Sequence, residues 1–476
     1  MLAMPGRREF LISLAAGATA LASGSAAAAR PRSMSVRQFG ASGKGDADDS
    51  PAVQAAIDEA AAKGGADVHV PAGVYLVRGL RLRSNVRLLG AGRGHSVLRE
   101  TTGASYLLSV NPGKEGSADP SQNQHDIEIA HIAFEGPVAA MGFAEHQHLL
   151  NFNGVTRLQV HDCAIRGFRG DGIFLGSGNV AETERHNVEI RIARNEFDGV
   201  NGDNRNAISV IDGEGVEISD NRFVRCSRAT MPGPIDVEPD GYAFQRIRDI
   251  AIVDNRFDDC GGNIAKISIH VPVPEGLIRP PGGLRIARNI VGPSQRSGNA
   301  LYVRVLDASG KSQRATVSGI EVLDNVLSNG KATLQGIENF LIRGNEFKGR
   351  DCGLVVGAIH AGQTDVAEDG AIAANAFHAP YGREAALVIG RARRIAISGN
   401  RFFGPGHAAA LGPAVALEAE RGTPLFAALT LEGNVFADEY RVHLASKAPA
   451  TAAHVSVAVT NKTLHGKAIT TAGLSR

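Results

Sequence analysis

The stretch that decides the fold is "VEISDNRF" at residues 216–223, which returns as "IAIVDNRF" at residues 250–257. Each copy begins with alternating apolar residues, which is the period of a β-strand, and continues into a turn that contains Asn221 or Asn255. A phenylalanine follows each asparagine by two residues. The pattern predicts a strand, a turn and an inward-facing phenylalanine in each copy.

Related phrases recur along the chain, and their asparagines are separated by intervals of 20 to 36 residues. Such irregular intervals exclude a helical solenoid of fixed repeat length and suit stacked β-coils with variable loops. We expect the asparagines to form a ladder and the phenylalanines to stack inside. A β-sandwich in which the phrase recurs by chance is the alternative. The asparagines are Asn195, Asn221, Asn255, Asn289, Asn325, Asn345, Asn375, Asn400 and Asn434.

Composition supports an all-β protein with a large core. The 476 residues are 43% hydrophobic and contain 50 basic and 49 acidic residues, so the chain is not a polyelectrolyte and nucleic acid is excluded as a partner. Tryptophan is absent and aromatic residues make up only 5%, which favours short strands joined by turns over a core of large rings. We expect a monomer without a membrane-spanning segment.

Residues 1–29 have the pattern of an export signal. Arg7 and Arg8 precede an apolar run that ends in alanines, with cleavage sites near Ala28 or Ala29. This pattern predicts twin-arginine export and a periplasmic or secreted mature protein. An ordinary N-terminal anchor is the alternative.

Four cysteines are too few and too scattered for a disulfide framework in a chain of this length. We therefore predict free, buried thiols. Whether Cys226 and Cys260 are bonded stays open, since each lies five residues after an asparagine of the repeat. The other two cysteines are Cys163 and Cys352.

A helix over 51–63 is predicted between two strand-like runs, with Ser50 as its N-cap and Gly64 at its end. Because the open end of a solenoid exposes strand edges and core, this helix is interpreted as a cap. The predicted organisation is a signal peptide at 1–29, the cap and first strands at 30–80, the β-coils at 81–440, and C-terminal strands and a tail at 441–476.

The cap segment resembles the N-terminal segment of the pectate lyase superfamily of right-handed parallel β-helices. The resemblance implies that fold for this chain, and a polysaccharide or oligosaccharide as its partner. It does not fix the reaction, because the superfamily includes polygalacturonase-like hydrolases, lyases, epimerases and phage depolymerases. The matching residues are Phe39, Gly40, Ala41, Gly45, Asp48, Asp49, Ala52, Gln54, Ala56, Ile57, Asp58, Gly64, Gly65, Pro71, Gly73 and Tyr75.

A second strand follows each asparagine turn, and its alternation predicts which side chains face outward. These strands read "AISVI" at 207–211, "PIDVE" at 234–238, "KISIH" at 266–270 and "ALYVR" at 300–304. With Ile208, Ile235, Ile267 and Leu301 inward, two outward columns form. They are Ser209, Asp236, Ser268 and Tyr302, and Ile211, Glu238, His270 and Arg304. A slip of one residue would bury the polar groups and expose the aliphatic ones.

The first functional prediction is an inverting glycoside hydrolase. Asp236 and Glu238 lie about 6.5 Å apart at the backbone and would divide the roles of acid and base, with His270 orienting one of them. Their like charges would raise one pKa and keep that group protonated. Tyr302 would pack against a sugar face and Arg304 would bind the substrate.

Two alternatives stay open. A lyase or epimerase acting on a uronate polymer would use Lys266 and Arg304, one as the base and one to neutralise the uronate. A non-catalytic glycan-binding solenoid is the second alternative. The order of residues is similar to that of polygalacturonase-like hydrolases, which implies a substrate-binding role for Asp203 or Asp212, although the adjacent Asp pair, Gly-His-Gly and Arg-Ile-Lys motifs are absent.

The stretch "DVEPDG" at 236–241 begins like a calcium-binding loop. It departs from that pattern because Pro239 stiffens the loop and Ile247 stands where a bidentate glutamate is required. We predict no metal and no cofactor. A calcium ion held by other oxygens of this face stays open.

Overall fold

The structure, a computed structural model, describes most of the chain from Ser33 onward. The described ranges are 33–101, 106–110, 119–177, 184–274, 276–294, 296, 298–307, 317–359, 365–378, 385–404, 413–418, 426–438, 440, 444–446, 455–457, 460–469 and 474–475. The predicted signal peptide at 1–29 lies outside them. The predicted domain boundaries stay predictions.

The described strands form three parallel sheets, and each coil of the chain contributes successive strands to sheet 1, sheet 2 and sheet 3. This arrangement is a right-handed parallel β-helix, as predicted. Sheet 1 contains Ser33–Ser35, Ala66–Val70, Val86–Gly90, Gln124–Ala130, Val155–His161, Val188–Ala193, Gly213–Ser219, Ile247–Val253, Gly282–Ala287, Val317–Leu323, Ile337–Arg343, Ala367–Ala373, Ala392–Ser398, Phe426–Ala427, Leu429–Glu432 and Val455–Val457.

The other two sheets have shorter strands on average. Sheet 2 contains Lys44–Asp48, Gly73–Val77, Ser96–Glu100, Ala133–Glu135, Ala164–Arg166, Glu196–Asp198, Arg222–Val224, Arg256–Asp258, Ile290–Val291, Val326–Ser328, Glu346–Lys348, Ala376–His378, Arg401–Phe403, Val435–Phe436 and Lys462–Thr463. Sheet 3 contains Leu80–Arg81, Tyr106–Val110, His148–Asn153, Ile173–Gly176, Ile208–Val210, Ile235–Val237, Ala265–Val273, Asn299–Asp307, Lys331–Gln335, Gly353–Val356, Leu387–Ile389, Val415–Leu417, Leu444–Ser446 and Leu474–Ser475.

The predicted asparagine ladder occupies the corner between sheet 1 and sheet 2. The side chain of Asn221 donates from Nδ2 to Asn255 Oδ1 at 3.1 Å and to the Ile192 carbonyl at 2.8 Å. The backbone N–H of Asn221 also donates to Asn255 Oδ1, at 3.0 Å. The same contacts repeat from Asn195 to Asn461, so the ladder extends one asparagine beyond the predicted set. It satisfies buried amides that would otherwise destabilise the core.

The predicted phenylalanine stack lies inside the coils, in two runs. Phe197, Phe223 and Phe257 stack with ring centroids 5.0 and 4.7 Å apart. Aliphatic residues then continue the same column. The second run has centroid distances of 4.8 Å and consists of Phe347, Phe377, Phe402 and Phe436.

The cap helix is Ser50–Ala62, and its apolar face packs on the first coils. The predicted N-cap is wrong by one residue. Ser50 is inside the helix and Asp49 precedes it, and the Asp49 side chain accepts a hydrogen bond from the Ser42 backbone at 2.7 Å instead of capping the helix. The other helices are short: the α-helix Val138–Met141 and the 3-10 helices Val36–Phe39 and Pro120–Gln122.

From Val188–Ala193 to Leu429–Glu432, coil length varies on one side of the coils only. Over this range the segment from each sheet 1 strand through the asparagine to the sheet 2 strand keeps nearly the same length, for example from Val317–Leu323 to Val326–Ser328. The connections before and after the sheet 3 strands differ from coil to coil. The outer face of sheet 3 is therefore bordered by the variable segments.

All four cysteines are buried and unbonded, as predicted. Within the described ranges, no helix combines the length and the apolar character needed to cross a bilayer.

Candidate active site on sheet 3

The predicted register of sheet 3 is confirmed. Ile208, Ile235, Ile267 and Leu301 are successive partners and are buried. The outward column is Ser209, Asp236, Ser268 and Tyr302, and His270 pairs with Arg304. Burial of the aliphatic residues therefore places Asp236, Glu238, His270 and Tyr302 on one face of adjacent coils.

A Pro-Gly-Pro turn positions Asp236. A Cβ on Gly233 would lie 1.7 Å from the Ala265 carbonyl oxygen, so only glycine fits this close approach to the next coil. The Pro234 carbonyl accepts hydrogen bonds from the backbone N–H groups of Ala207 and Ile208, both at 2.9 Å. The turn thus joins the strand Ile235–Val237 to its neighbours on both sides and fixes which way Asp236 faces.

Asp236 is only 1% exposed although its side chain lies on the outer face. Its Oδ2 accepts a hydrogen bond from Asn206 Nδ2 at 3.2 Å. Burial raises the pKa of Asp236 well above its ordinary value, and the nearby charge of Glu238 raises it further. This carboxyl group therefore keeps its proton to a higher pH than an exposed aspartate does.

Glu238 and His270 form an accessible pair beside Asp236. Their side chains are 38% and 29% exposed, and Glu238 Oε1 lies 3.7 Å from His270 Nδ1. Hydrogen bonding to His270 lowers the pKa of Glu238 despite partial burial. The Tyr302 ring meets the imidazole edge-on with centroids 6.5 Å apart. The two carboxyl groups thus differ, because the pKa of Asp236 is raised and the pKa of Glu238 is lowered.

Several buried polar atoms of this face lack a hydrogen-bond partner among the described residues. Each buried polar atom without a partner costs about 1–3 kcal/mol, so such a cluster marks a place where water or a ligand completes the bonding. Five buried atoms have no hydrogen-bond partner among the described residues and lie together here: Arg205 Nε, Asn206 Oδ1, Asp236 Oδ1, Ser268 Oγ and His270 Nε2.

A buried network that the sequence analysis missed supports the site. Arg205 Nη1 donates to both carboxylate oxygens of Asp171, at 3.0 and 2.8 Å, and to Ser209 Oγ at 3.1 Å. Asn206 Nδ2 bonds Ser209 Oγ at 3.0 Å as well as Asp236. Position is the signal that could have found these residues, because Asp171, Arg205 and Asn206 each lie two or three residues before a strand of sheet 3.

Two predicted cationic residues are placed differently. Lys266 lies on the same strand face as Ser268, and its Nζ donates to the Gly298 carbonyl at 2.6 Å. Burial lowers the pKa of Lys266 to about 8. Arg304 instead donates from Nε and Nη2 to Asp365 Oδ2, at 3.2 and 3.1 Å. Its charge is therefore already balanced within the protein.

The two other predicted aspartates are already paired with side chains of the protein. Asp212 is fully buried, and its Oδ2 lies 3.0 Å from His186 Nδ1 and accepts from the Arg246 backbone at 2.9 Å. Asp203 forms an ion pair with Arg228 at 3.4 Å. The predicted substrate-binding role of Asp212 is thus corrected. Asp212 lies between a strand of sheet 3 and the next strand of sheet 1, and a carboxyl group enclosed there by protein is not available to an external polymer.

The calcium-like stretch does not gather its carboxylates around one point. Asp240 lies beyond Pro239, and its Oδ2 accepts from Gln245 Nε2 at 3.3 Å. Within the described ranges, no three His, Cys, Asp or Glu side chains converge closely enough to hold a metal ion.

Comparisons with known proteins agree with the fold. The sequence profile described as rhamnogalacturonase A/epimerase, pectate lyase-like, matches residues 33–124. The mannuronan C5-epimerase AlgE1 of Azotobacter vinelandii is 30% identical over 206 residues, which are 34% of this chain and 14% of that protein. Alginate lyase 7 of the same organism is 38% identical over 109 residues, which are 21% of this chain and 12% of that protein. The matches thus span about a seventh or less of these relatives.

Among solved structures, the A-module of the Azotobacter vinelandii mannuronan C-5 epimerase AlgE6 superposes with a TM-score of 0.52 at 16% identity. The match covers 90% of this chain and 98% of that module. The fold and the polar face of sheet 3 define a right-handed parallel β-helix with one candidate active face. The match of residues 33–124 to a pectate lyase-like family model agrees with the resemblance of the cap segment, and the superposition supports the parallel β-helix fold.

Proposed function

We propose that this chain is a polysaccharide-modifying enzyme that removes the C5 proton of a uronate residue, as an epimerase or a lyase does, in a polymer of the alginate type. The observation on which the proposal rests is Asp236, a buried carboxyl group with a raised pKa that lies beside the neighbouring side chains of Glu238 and His270. Relatives named as epimerases and a lyase fit the predicted alternative better than the predicted hydrolase.

A protonated carboxyl group suits an anionic substrate. Several ionised carboxylates on one face would repel a uronate, whereas a neutral Asp236 can donate a hydrogen bond to it. Lys266 adds positive charge on the same face below its pKa of about 8. When the C5 proton leaves, negative charge grows on the uronate carboxylate, and both groups stabilise it.

Proton transfer is assigned to His270. Glu238 lies against Nδ1, so it orients the imidazole and stabilises its protonated form. The C5–H bond breaks, the proton moves to Nε2, and the electron pair spreads onto the substrate carboxylate. In a lyase this pair forms the C4–C5 double bond as the O4 group leaves, with Tyr302 as the donor of its proton. In an epimerase the Tyr302 hydroxyl donates a proton to the opposite face of C5, and exchange with solvent restores Tyr302 and His270.

The experiment is incubation of the mature protein in deuterium oxide with alginate, polymannuronate and pectate. Deuterium incorporation at C5, measured by NMR, reports epimerisation, because the unsaturated product of a lyase carries no hydrogen at C5. Ultraviolet absorbance of unsaturated uronates identifies a lyase, and inversion at C5 in an uncut polymer identifies an epimerase. Neither deuterium uptake nor unsaturated product with any of the polymers would contradict the proposal. A parallel reaction with a chelator tests the expectation that no metal is needed.

A hydrolase is the second candidate because the carboxyl groups of Asp236 and Glu238 have pKa values displaced in opposite directions. An inverting glycosidase needs one protonated and one ionised carboxyl group. New reducing ends without ultraviolet absorbance or deuterium at C5 would support this candidate.

A further inference from the structure

An aromatic ring that the sequence analysis did not single out lies in the same outward column as Asp236. Phe174 pairs with Ser209, which pairs with Asp236. In the other direction Asp236 pairs with Ser268, which pairs with Tyr302. Asp236 is therefore flanked on each side by a serine one coil away and by an aromatic ring two coils away.

The Phe174 ring is supported from the preceding coil. It stacks on the His148 ring with centroids 4.4 Å apart and an interplanar angle of 6°. The strand His148–Asn153 pairs with one edge of the Phe174 strand, and the Ser209 strand pairs with the other edge. Because His148 covers the ring from the preceding coil, the other side of this partly exposed ring is directed toward the coil of Ser209.

The position of this ring is fixed by its surroundings. His148 Nδ1 lies 3.2 Å from Asp171 Oδ2, and Asp171 is the partner of Arg205. A Cβ on Gly176 would lie 2.2 Å from Phe174 Cε1, so the ring occupies the space that glycine leaves. The network that holds His148 is also the one that reaches Ser209 beside Asp236. Support of a partly exposed ring by a buried ion pair is typical of a binding surface.

We propose that Phe174 and Tyr302 are two sugar-binding platforms, one at each end of the stretch of polymer centred on Asp236. This inference rests on the proposed function. The rings are four strand spacings apart, about 19 Å at about 4.8 Å each. The side chains of Ser209 and Ser268 between them are small and buried, so they leave space for the polymer over this part of the sheet. Apolar sugar faces pack on such rings, so Phe174 makes affinity depend on the length of the bound chain.

The test compares Phe174→Ala, Phe174→Leu and Phe174→Tyr with the wild type on oligouronates of increasing length. Loss of the ring is expected to raise KM about three- to tenfold for the polymer and long oligomers, more than it lowers kcat, and the effect should grow with oligomer length. Phe174→Tyr should restore most of the affinity. Phe174→Leu retains apolar volume and guards against misfolding of the alanine variant.

The matched control is Phe403→Ala. Phe403 stacks on His378 with centroids 4.9 Å apart and an angle of 16°, but this pair lies on sheet 2. Removing that ring should cause a similar small loss of thermal stability and no change in KM at any oligomer length. Equal KM changes in the two alanine variants would overturn the platform at Phe174.

Binding is measured separately, by retardation on native gels that contain alginate or pectate. If the wild type turns over a uronate polymer and the Phe174 variants match its KM, this inference fails and the proposed function stands. If the wild type is retarded without turnover and Phe174→Ala is retarded less, the platform stands and the proposed function fails. Equal retardation without turnover, or no retardation and no turnover, overturns both.

Discussion

Asp236 and Glu238 lie two residues apart on one face, yet the pKa values of their carboxyl groups are shifted in opposite directions. Burial raises the pKa of Asp236, whereas hydrogen bonding to His270 lowers the pKa of Glu238. The two groups are therefore not interchangeable, and their amide variants should differ in how stability depends on pH.

Replacing Asp236 by Asn should reduce turnover by about 10²–10⁴-fold and leave stability at neutral pH equal or higher. Because its folded pKa is raised, the native wild type binds more protons than the unfolded chain above the unfolded value near 3.8. The wild type thus loses stability as pH rises from there to the folded pKa, and the variant does not. Urea unfolding at pH 4 and pH 8 measures this difference, and a variant that is less stable at pH 8 would contradict it.

Replacing Glu238 by Gln should also reduce turnover by about 10²–10⁴-fold, through loss of the group that orients His270. Its folded pKa is lowered, so its contribution to stability is present above the unfolded pKa and is lost as pH falls through the folded one. The pH profile of kcat/KM checks the role. Asp240→Asn is the control, because Asp240 lies off the strand, and it should retain most activity.

Replacing Lys266 by Met should remove a rise in stability at alkaline pH. The folded pKa is about 8 and the ordinary value is 10.5, so between these limits the unfolded chain binds more protons and stability increases with pH. The difference in free energy of unfolding between the wild type and the variant should change by up to about 3 kcal/mol between these two pH values. Denaturant unfolding from pH 7 to pH 11 measures it, and parallel curves would refute the assignment.

Replacing Asn255 by Ala should destabilise the protein by about 1–3 kcal/mol. The variant leaves the backbone N–H and the side chain of Asn221 without the acceptor Asn255 Oδ1. It also leaves the Ile218 carbonyl without its donor. Asn263→Ala is the control, because this exposed side chain has only a 3.2 Å bond to the Thr230 carbonyl. Equal urea midpoints for the two variants would show that the ladder does not stabilise the coils.

We propose that the protein reaches the periplasm or the exterior by twin-arginine export. Changing both Arg7 and Arg8 to Lys should leave the precursor in the cytoplasm, whereas changing Arg30 and Arg32 should not. Cell fractionation with detection of the uncleaved chain distinguishes these outcomes. Unaltered export of the double Arg7 and Arg8 variant would refute the proposal.

The recurring asparagines made the ladder predictable, and the alternation of inward and outward side chains along the strands made the outward columns predictable. Once Ile235 and Val237 are buried, Asp236 has to face outward, and the same reasoning places His270 on its strand. Turns do not follow the two-residue period of a strand, so the directions of their side chains cannot be predicted in this way. Asp212 lies just after a strand of sheet 3, where alternation no longer decides direction, and it turns into the buried pair with His186.

Pairing between residues that are far apart in sequence is the other part that sequence could not provide. Arg304 bonds Asp365, 61 residues away, and Arg205 bonds Asp171, 34 residues away. Asp171, Arg205 and Asp365 lie in the connections that vary in length, so nothing in the repeat indicates which acid meets which base. The polar face was predictable, but its supporting ion pairs were not.

The coil that ends at Asn325 takes 36 residues and the next, ending at Asn345, takes 20, yet both asparagines bond their neighbours in the same way. Insertions and deletions are therefore tolerated without disturbing the corner that holds the coils in register. They alter only the borders of sheet 3, where a ligand would approach. In evolution, single connections beside sheet 3 can therefore change and create a new binding surface, while the coils and the asparagine ladder stay the same.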